Sequence, residues 1–493
     1  ATTGVVAASV ISMGLISLPI MLRYGYDRRL ASGTIAASGT LAQIIPPSLV
    51  LIVLADQLGR SVDDMYKAAL VPGLLLSGSY ALYVFFISLV KASHAPALSS
   101  KQISETEHQE TRGISSVLFL AFLAAAFGTL LLWPSSYTGM DFLILAIASG
   151  VLFAFSLAVL NTLLFHKTGL SLLSPLAERV TFVMTPPLLL VFIVLGTILV
   201  GVATPVEGGA MGAVGALLLA LSKKILKNDS RYLNFQILQQ ATDATAKLSA
   251  FVMFILIGAR IFSLTFYGVN GHIWVEHLLT SLPGGMYGFL VSTMFLIFIL
   301  AFFLDFFELA FILVPLLKPA AETIFKTAPE AVSIAKTFGF TVSNFTNSNG
   351  IGIETIPDVS PFIIWYGVLL AINMQTSFMH PPFGFALFYL RSVAPKEPYI
   401  DKITGQKIQP VSTSDIYWGA LPFLIIQILM IGLVITMPWL ALHAQGQQGL
   451  RKNVSSNIER KIDLPPKEQV SQNTSSKMKK KFSFPPSPPQ IEN

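Results

Sequence analysis

Hydrophobic residues fill this chain in long runs, and the informative positions are where prolines and small polar residues interrupt them. Apolar stretches at 68–91, 116–133, 142–165, 186–202, 240–265 and 416–440 have the roughly 17 to 25 residues that a helix needs to cross a bilayer. A membrane β-barrel would instead show alternating polarity in segments of about ten residues. The predicted fold is an all-α polytopic membrane protein. Two further apolar arms, 285–304 and 306–318, meet at Asp305 and read as a re-entrant hairpin.

Adjacent prolines punctuate two of the apolar stretches, each after small hydroxyl or amide residues. One is Ser38-Gly39-Thr40-Leu41-Ala42-Gln43-Ile44-Ile45-Pro46-Pro47-Ser48, and the other is Gln375-Thr376-Ser377-Phe378-Met379-His380-Pro381-Pro382-Phe383-Gly384. Proline lacks an N–H and clashes with the preceding turn, so a pair should interrupt a helix and free backbone groups in mid-segment. Hydrocarbon cannot solvate such groups, and irregular backbone at membrane depth survives only where protein or a wet cavity surrounds it.

Using the proline pairs as anchors exposes a repeat. Asp64-Met65-Tyr66-Lys67-Ala68-Ala69-Leu70-Val71-Pro72 follows the first pair, and Asp415-Ile416-Tyr417-Trp418-Gly419-Ala420-Leu421-Pro422 follows the second. An apolar arm precedes each: one ends at Pro19 and the other contains Pro315. Each half therefore reads as arm, broken helix, amphipathic connector and span. Pro19 and Pro46 are 27 positions apart and Pro315 and Pro381 are 66 apart, so the second copy carries 39 more residues. The extra length falls at 321–361, an inserted loop domain with an amphipathic helix expected from Pro329 and a polar run from Ser343 to Gly350. The expected organisation is a first repeat at 1–92, a loop with two extra helices at 93–183, a second repeat at 184–443 and a disordered tail at 444–493.

Charge orients the halves. Arg23, Arg28 and Arg29 against Asp27 mark the loop after the first arm as cytoplasmic, as Lys223, Lys224, Lys227 and Arg231 do for a later loop. The 321–361 insert has no positive excess and is expected outside, which makes the two hairpins opposite in orientation, as an inverted repeat requires. The basic tail conflicts with the outward exit that this repeat gives the last span. Charges beyond about 15 to 20 residues from a span carry little topological weight, so the repeat decides.

Composition agrees: of 493 residues 53% are hydrophobic and 12% charged, with a net charge of +6 placed in loops and tail. No cysteine occurs, so thiolate metal sites and disulfides are excluded. The first residues carry neither an initiator Met nor a signal peptide and open into an apolar helix, the look of a truncated start. No Walker loop, dinucleotide glycine motif or His-Glu-x-x-His zinc spacing appears, including at Gly271-His272-Ile273-Trp274-Val275-Glu276-His277.

The candidate chemistry clusters at the breaks and the hairpin tip. Asp305 either ligates a hard cation such as sodium with freed carbonyls or caps the arm that follows; Glu308 caps or pairs locally. Ser38, Thr40, Gln43 and Ser48, with Asn373, Gln375, Thr376 and Ser377, offer neutral oxygens that can replace water around a monovalent ion, or else hydrogen-bond between helices. His380 is either a proton acceptor or substrate contact, or a hydrogen-bonded structural residue. Arg260 either pairs with a substrate carboxylate or snorkels to the interface. Thr204, Pro205 and Glu207 read as a capping box, and Gly208, Gly212 and Gly215 as a close-packing helix face.

Several ordered motifs give the chain a family resemblance. They are Gly33-Thr34-Ile35-Ala36-Ala37-Ser38-Gly39-Thr40-Leu41 leading to Ile45-Pro46-Pro47-Ser48, Gly201-Val202-Ala203-Thr204-Pro205-Val206-Glu207, Phe303-Leu304-Asp305, and Asn373-Met374-Gln375-Thr376-Ser377-Phe378-Met379-His380-Pro381-Pro382-Phe383-Gly384. Over about 1–93, 184–318 and 361–443 the chain resembles the large membrane subunit of tripartite ATP-independent periplasmic (TRAP) transporters, most of all the mannitol and chloroaromatic-compound type. The resemblance implies sodium-driven import of an organic acid, such as a dicarboxylate, across the bacterial inner membrane. It also implies an elevator motion and two partners, a small membrane subunit and a periplasmic binding protein. By position it puts sodium at Ser38, Gly39, Thr40, Asp305, Thr376 and Ser377, and substrate between the breaks at Gln43, Pro46, Asn373, Gln375 and His380, to which Arg260 is added as a candidate substrate contact from its own place in an apolar helix. No cofactor is expected beyond the coupling ions.

The chain departs from the family in three ways. The initial helices and the first arm of the inner hairpin are absent, His380 stands where Thr is commoner, and 93–183 and 321–361 are additions. The insert, on the expected outer face, is a candidate contact for the binding protein. A stand-alone sodium/anion symporter of similar architecture is the alternative function. A membrane-embedded enzyme is a further one, which would need a nucleophile–base pair or metal cluster at depth.

Overall fold

A computed structural model describes residues 6–96, 107–133, 140–168, 173–199, 201–227, 233–346, 353–381, 384–401 and 404–443. The tail at 444–493 and Pro382 lie outside these. Among the described residues, nine helices are long and apolar enough to cross a bilayer. The chain is thus a multi-pass membrane protein built from helices, with two short β-hairpins.

The chain opens with α1 (Val6–Arg23), which runs straight through Pro19 rather than ending there. Asp27 caps α2 (Arg28–Thr40), accepting the N–H groups of Arg29 and Leu30 at 3.0 Å each. A 3-10 turn, Leu41–Gln43, follows. Beyond the first proline pair α3 (Leu49–Leu58) restarts with Ser48 as its cap, and α4 (Val62–Val90) returns across the bundle. The second copy has the same parts: α15 (Ser360–Met374), a 3-10 turn Gln375–Phe378, the second proline pair, α16 (Phe385–Val393), and α17 (Thr413–Thr436) with a Ser412–Asp415 capping box.

Between the copies lie α5 (Glu107–Leu132), α6 (Met140–Thr168), α7 (Pro175–Leu199), α8 (Pro205–Lys227) and α9 (Phe235–Gly268). The expected Thr204–Glu207 capping box opens α8: Glu207 Oε2 accepts from Thr204 N at 2.7 Å, and Glu207 N donates to Thr204 Oγ1 at 3.3 Å. Gly208 and Gly215 let α8 lie directly on Ile198 and Leu190 of α7.

After α9 the chain bends by 120° between α10 (Gly271–Thr280) and α11 (Gly285–Leu300). A turn then leads into α12 (Phe306–Glu308), a π-helical turn Leu309–Leu313 and α13 (Val314–Thr327). Gly285 faces the Glu330 carboxylate, so the arms of this hairpin begin and finish at one end of the bundle. The insert contains the expected helix as α14 (Pro329–Phe338), followed by β1 (Val342–Thr346) and β2 (Ile353–Pro357), antiparallel with Val342 opposite Pro357.

One expectation fails. A proline pair does not always break a helix, because α7 continues through Pro186 and Pro187. Transmembrane helices tolerate proline where neighbours and small distortions satisfy the freed carbonyls. The two true breaks differ in carrying a 3-10 turn two residues before the prolines, Leu41–Gln43 in the first and Gln375–Phe378 in the second.

The two copies hold each other. First-copy α2 crosses α17 where Gly33 meets Gly419, so closely that a Cβ at position 33 would overlap the Gly419 carbonyl oxygen. Second-copy α15 crosses α4 with Gly367 against Met65. Asp27 N donates to His94 O at 2.8 Å, and Arg29 lies 3.5 Å from Asp415. One end of the bundle therefore gathers the start of α2, the end of α4 and the start of α17. At the opposite end Arg60 donates to Ser360 Oγ at 2.6 Å, and Trp365 Nε1 donates to Val434 O at 3.0 Å. α17 thus finishes at the end away from Arg29, as the repeat requires.

The first end is cation-rich, with Arg23, Arg28, Arg29, Lys91, Arg391, Lys396 and Lys407 against Asp27, Glu397, Asp401 and Asp415. There β3 (Tyr399–Ile400) and β4 (Lys407–Ile408) form a hairpin whose Asp401 accepts from Thr404 N at 2.8 Å and from Arg23 Nε at 3.0 Å. The Thr404 backbone N–H, then its hydroxyl and Arg23, hold the Asp401 carboxyl down to about 2.

Two outcomes are expected from this packing. Gly33→Ala should lower the thermal midpoint in detergent by the equivalent of about 1 to 3 kcal/mol, since backbone cannot yield. Gly367→Ala, which meets only the movable Met65 and Leu58 side chains at 2.6 and 2.8 Å, should cost less; equal losses would refute the backbone clash. Because the folded pKa of Asp401 is depressed, its stabilisation is complete above the ordinary carboxylate range near pH 4 and is lost as pH falls towards about 2. The midpoint gap between the parent and Asp401→Asn should therefore close over that window, and a pH-independent gap would exclude the clamp.

Candidate functional site

The site is built from the bottom up by the two 3-10 turns. In the first, Ile44 and Ile45 N–H groups both donate to Leu41 O, at 3.2 and 3.0 Å. In the second, Met379 and His380 N–H groups both donate to Thr376 O, at 2.8 and 3.0 Å. Pro46 and Pro381 are 335 positions apart, and each of these residues matches its counterpart at the same offset. The two breaks share one local geometry.

They also touch. Gln375 Nε2 donates to Thr40 Oγ1 at 3.0 Å, across a separation of 335 residues. Thr40 and Gln375 are thus each other's repeat counterparts. Two equivalent residues bonded to one another lie where the axis relating the copies passes, so the breaks meet back to back at the bundle centre. Both side chains are fully buried. A net contribution of about 1 kcal/mol is ordinary for such a bond, whereas leaving the amide unmade costs about 1 to 3 kcal/mol.

The other predicted side chains separate into groups. Thr376 and Ser377 hydroxyls donate to Asn373 O and Met374 O at 2.6 and 2.8 Å, and Thr40 donates to Ala37 O at 2.9 Å, leaving lone pairs free to accept. Asn373 donates its amide to Met294 O at 2.7 Å, tying the second break to α11. Three amide oxygens, Gln43 Oε1, Asn373 Oδ1 and Gln375 Oε1, are buried without a hydrogen-bond partner. Uncompensated burial of such an oxygen is costly, so a donor or a cation belongs there. Ser48 spends its hydroxyl on Gln43 O and accepts from Leu51 N at 3.2 Å, which makes it a cap. Pro46 lies in the first break itself.

Gly39 packs against Val10 of α1 with no room for a Cβ, so its small size serves the crossing of α1 over α2. Ser38 opens onto a cavity of about 480 Å³ shared with Tyr26, Thr34, Ser77, Tyr80 and Ser88. Asp305 accepts from Phe307 N at 2.7 Å and Glu308 N at 3.2 Å, while Glu308 Oε2 accepts from Asp305 N at 2.7 Å. Both carboxylates are therefore engaged in a capping box. The tip they cap nevertheless sits at the site: α12 packs on the second 3-10 turn, and the π-helical turn packs on α3.

His380 is buried between Phe302, stacked at 4.0 Å, and Phe298, edge-on at 4.6 Å. Neither ring nitrogen completes a hydrogen bond, although the Ala301 carbonyl lies close by. Arg260 is not brought to the breaks. It lines a separate cavity of about 760 Å³ with Asp56, Lys318 and Glu322.

Sequence reasoning passed over Gln427, fully buried in α17 with Tyr80 beside it. Its amide completes no hydrogen bond. A lone glutamine inside an apolar span was the available signal. Among the described residues, no cluster of three or more His, Cys, Asp or Glu side chains forms a metal site.

A family model described as "Tripartite ATP-independent periplasmic transporter, DctM component" matches residues 1–440. The chain belongs to this family. Members are transporters and not enzymes, which removes the enzyme alternative. The chain is similar to the C4-dicarboxylate TRAP transporter large permease protein DctM of Rhodobacter capsulatus, 20% identical over 404 residues, 79% of this chain and 66% of that protein. It is 29% identical over 123 residues to the protein of the same name in Pseudomonas aeruginosa, 25% of this chain and 28% of that one. To the ectoine TRAP transporter large permease protein TeaC of Halomonas elongata it is 30% identical over 91 residues, 18% of this chain and 21% of that one. The matched stretches span from about a fifth to two-thirds of these relatives' lengths.

The bond between the breaks is open to a direct check. In a double-mutant cycle on Thr40→Val and Gln375→Leu, folding stability should show a coupling of about 0.5 to 1.5 kcal/mol. Strict additivity would mean that the two side chains do not interact.

Proposed function

We propose that this TRAP large permease subunit imports a small organic acid coupled to sodium across the bacterial inner membrane. In this reading it works with a small membrane subunit and takes its substrate from a periplasmic binding protein. The observation that carries the reading is the set of three unpartnered amide oxygens around the bonded breaks. Neutral oxygens beside freed carbonyls suit a hard monovalent ion that must bind weakly enough to leave. Hydroxyl lone pairs of Thr376 and Ser377 in the second turn, and of Thr40 just before the first, can complete its shell. The names of two relatives specify C4-dicarboxylates, which supports an organic-acid substrate for this one.

The cation-rich end faces the cytoplasm in this reading, and the hairpin carrying Asp305 enters from the opposite side. Each sodium ion moving down the membrane potential supplies about 2.3 kcal/mol per 100 mV, so a few ions suffice to drive a carboxylate inward. In this reading Asp305 contributes its charge through the tip while its cap bonds hold the turn.

Asn caps a helix as well as Asp does, so Asp305→Asn separates the two roles. In proteoliposomes holding the permease with its small subunit and binding protein, the variant should fold normally and lose sodium-dependent uptake at least tenfold. Unchanged sodium dependence would leave Asp305 as a cap alone.

A further inference from the structure

The cavity that holds Arg260 lies outside the break-to-break centre, at the bundle end marked by Arg60 and Glu322. Its walls are two helix faces. Leu256, Arg260, Ser263 and Tyr267 come from α9, and Phe311, Pro315, Lys318 and Glu322 from the arm containing α13. Spacings of three and four residues put each set on one face, so Arg260 points across the cavity rather than being scattered around its helix. The end of α3 closes the space with Asp56 and Gln57.

The charges in it are unequally satisfied. Gln57 Nε2 donates to Asp56 Oδ2 at 2.9 Å, and Arg60 lies 4.0 Å from Glu322. Arg260 and Lys318 have no hydrogen bond or ion pair among the described residues. Lys318 Nζ sits over Gly59 at the C-terminus of α3, but a helix end offers only about half a negative charge. The lining carries two cations, Arg260 and Lys318, and two carboxylates, Asp56 and Glu322; because Glu322 is shared with Arg60 from outside the lining, the local balance tips positive by one charge. The volume, about 760 Å³, is that of a small-molecule site, and the apolar part of its lining, Leu256, Ala259, Phe311 and Pro315, suits an apolar body.

From this we infer that the cavity is a binding site for a carboxylate-bearing solute, with Arg260 and Lys318 as the groups that hold the carboxylate. Its place as a waiting site on an import path rests on the proposed function; the binding itself does not.

The absence of cysteine from the chain makes a clean test. Ser263→Cys places one thiol in the cavity, and Leu264→Cys is a second reporter should the first not fold. In purified full-length protein, labelling rates with sulfonatoethyl and trimethylammonioethyl methanethiosulfonate are compared after correction for their rates with a free thiol. The anionic reagent should react about three- to tenfold faster, and Arg260→Gln with Lys318→Gln should bring the ratio near one. Succinate, used as the carboxylate probe, should slow labelling in the parent and not in the double variant, while succinamide should slow neither. A ratio near one in the parent, no protection by succinate, or protection that survives the double substitution would overturn the inference. Loss of sodium-driven uptake would bear on the transport reading and leave this result unaffected.

Discussion

Everything in this fold depends on what becomes of the backbone groups that two proline pairs release inside a helical bundle. A helix satisfies its own donors and acceptors, and a bilayer offers no others. At 46–47 and 381–382 that self-sufficiency ends. The chain responds in the same way twice, tightening into a 3-10 turn in which one carbonyl accepts two N–H groups, Leu41 O in the first and Thr376 O in the second. The breaks are then placed against one another and joined by Gln375 and Thr40, so that each irregular stretch is shielded by the other.

That arrangement explains the interlocked packing. A break that only its own copy supported would present its far side to lipid. Instead α2 lies on α17 through Gly33 and Gly419, α15 lies on α4 through Gly367, and α1 reaches α16 through Gly14 against Val393 and Leu390. Small residues bring backbones close where dispersion must replace the hydrophobic driving force. The ends of the bundle add ionic and hydrogen-bonded ties between copies, Arg23 with Asp401 and Arg60 with Ser360. The copies are therefore structurally inseparable around the centre, while α5 and α6 stand outside that interlock.

Local features were legible in the sequence because short-range chemistry sets them. The caps at Thr204 and Asp305 follow from three-residue spacing, and the start of α14 follows from Pro329. The order of arm, broken helix and span was legible because proline and the Asp-x-Tyr connector mark it twice. The bond between Thr40 and Gln375 was not, since nothing local reports a contact across 335 residues. The same limit holds for Arg260, which the sequence marks as a substrate contact or an interface residue and which only the fold places on a separate cavity. The resemblance puts Gly39 at the ion site; that a Cβ there would meet Val10 of α1 is a separate packing demand, which only the fold supplies. The unbroken passage of α7 through Pro186 and Pro187 shows the complementary limit: proline sets the problem, and the neighbouring residues decide whether the helix yields.

The copies are equivalent in backbone and unequal in chemistry, and the inequality gives the centre a direction. After the first break Ser48 caps α3, closing its N-terminal amides upon a side chain. After the second, α16 starts at Gly384 with no side-chain cap, and a Cβ at 384 would press on the carbonyls of Phe378 and His380 at 2.7 and 2.9 Å. That helix start is closed by backbone instead, since Gly384 N donates to His380 O at 2.6 Å. His380, clamped by Phe298 and Phe302 of the hairpin, occupies the position that Ile45 fills in the first copy. The first break is thus finished by its own residues, whereas the second is finished by the hairpin tip. The hairpin therefore touches the second break through His380 and the first through α3 and the Thr40–Gln375 bond, so two halves matched in backbone are coupled to it through different contacts.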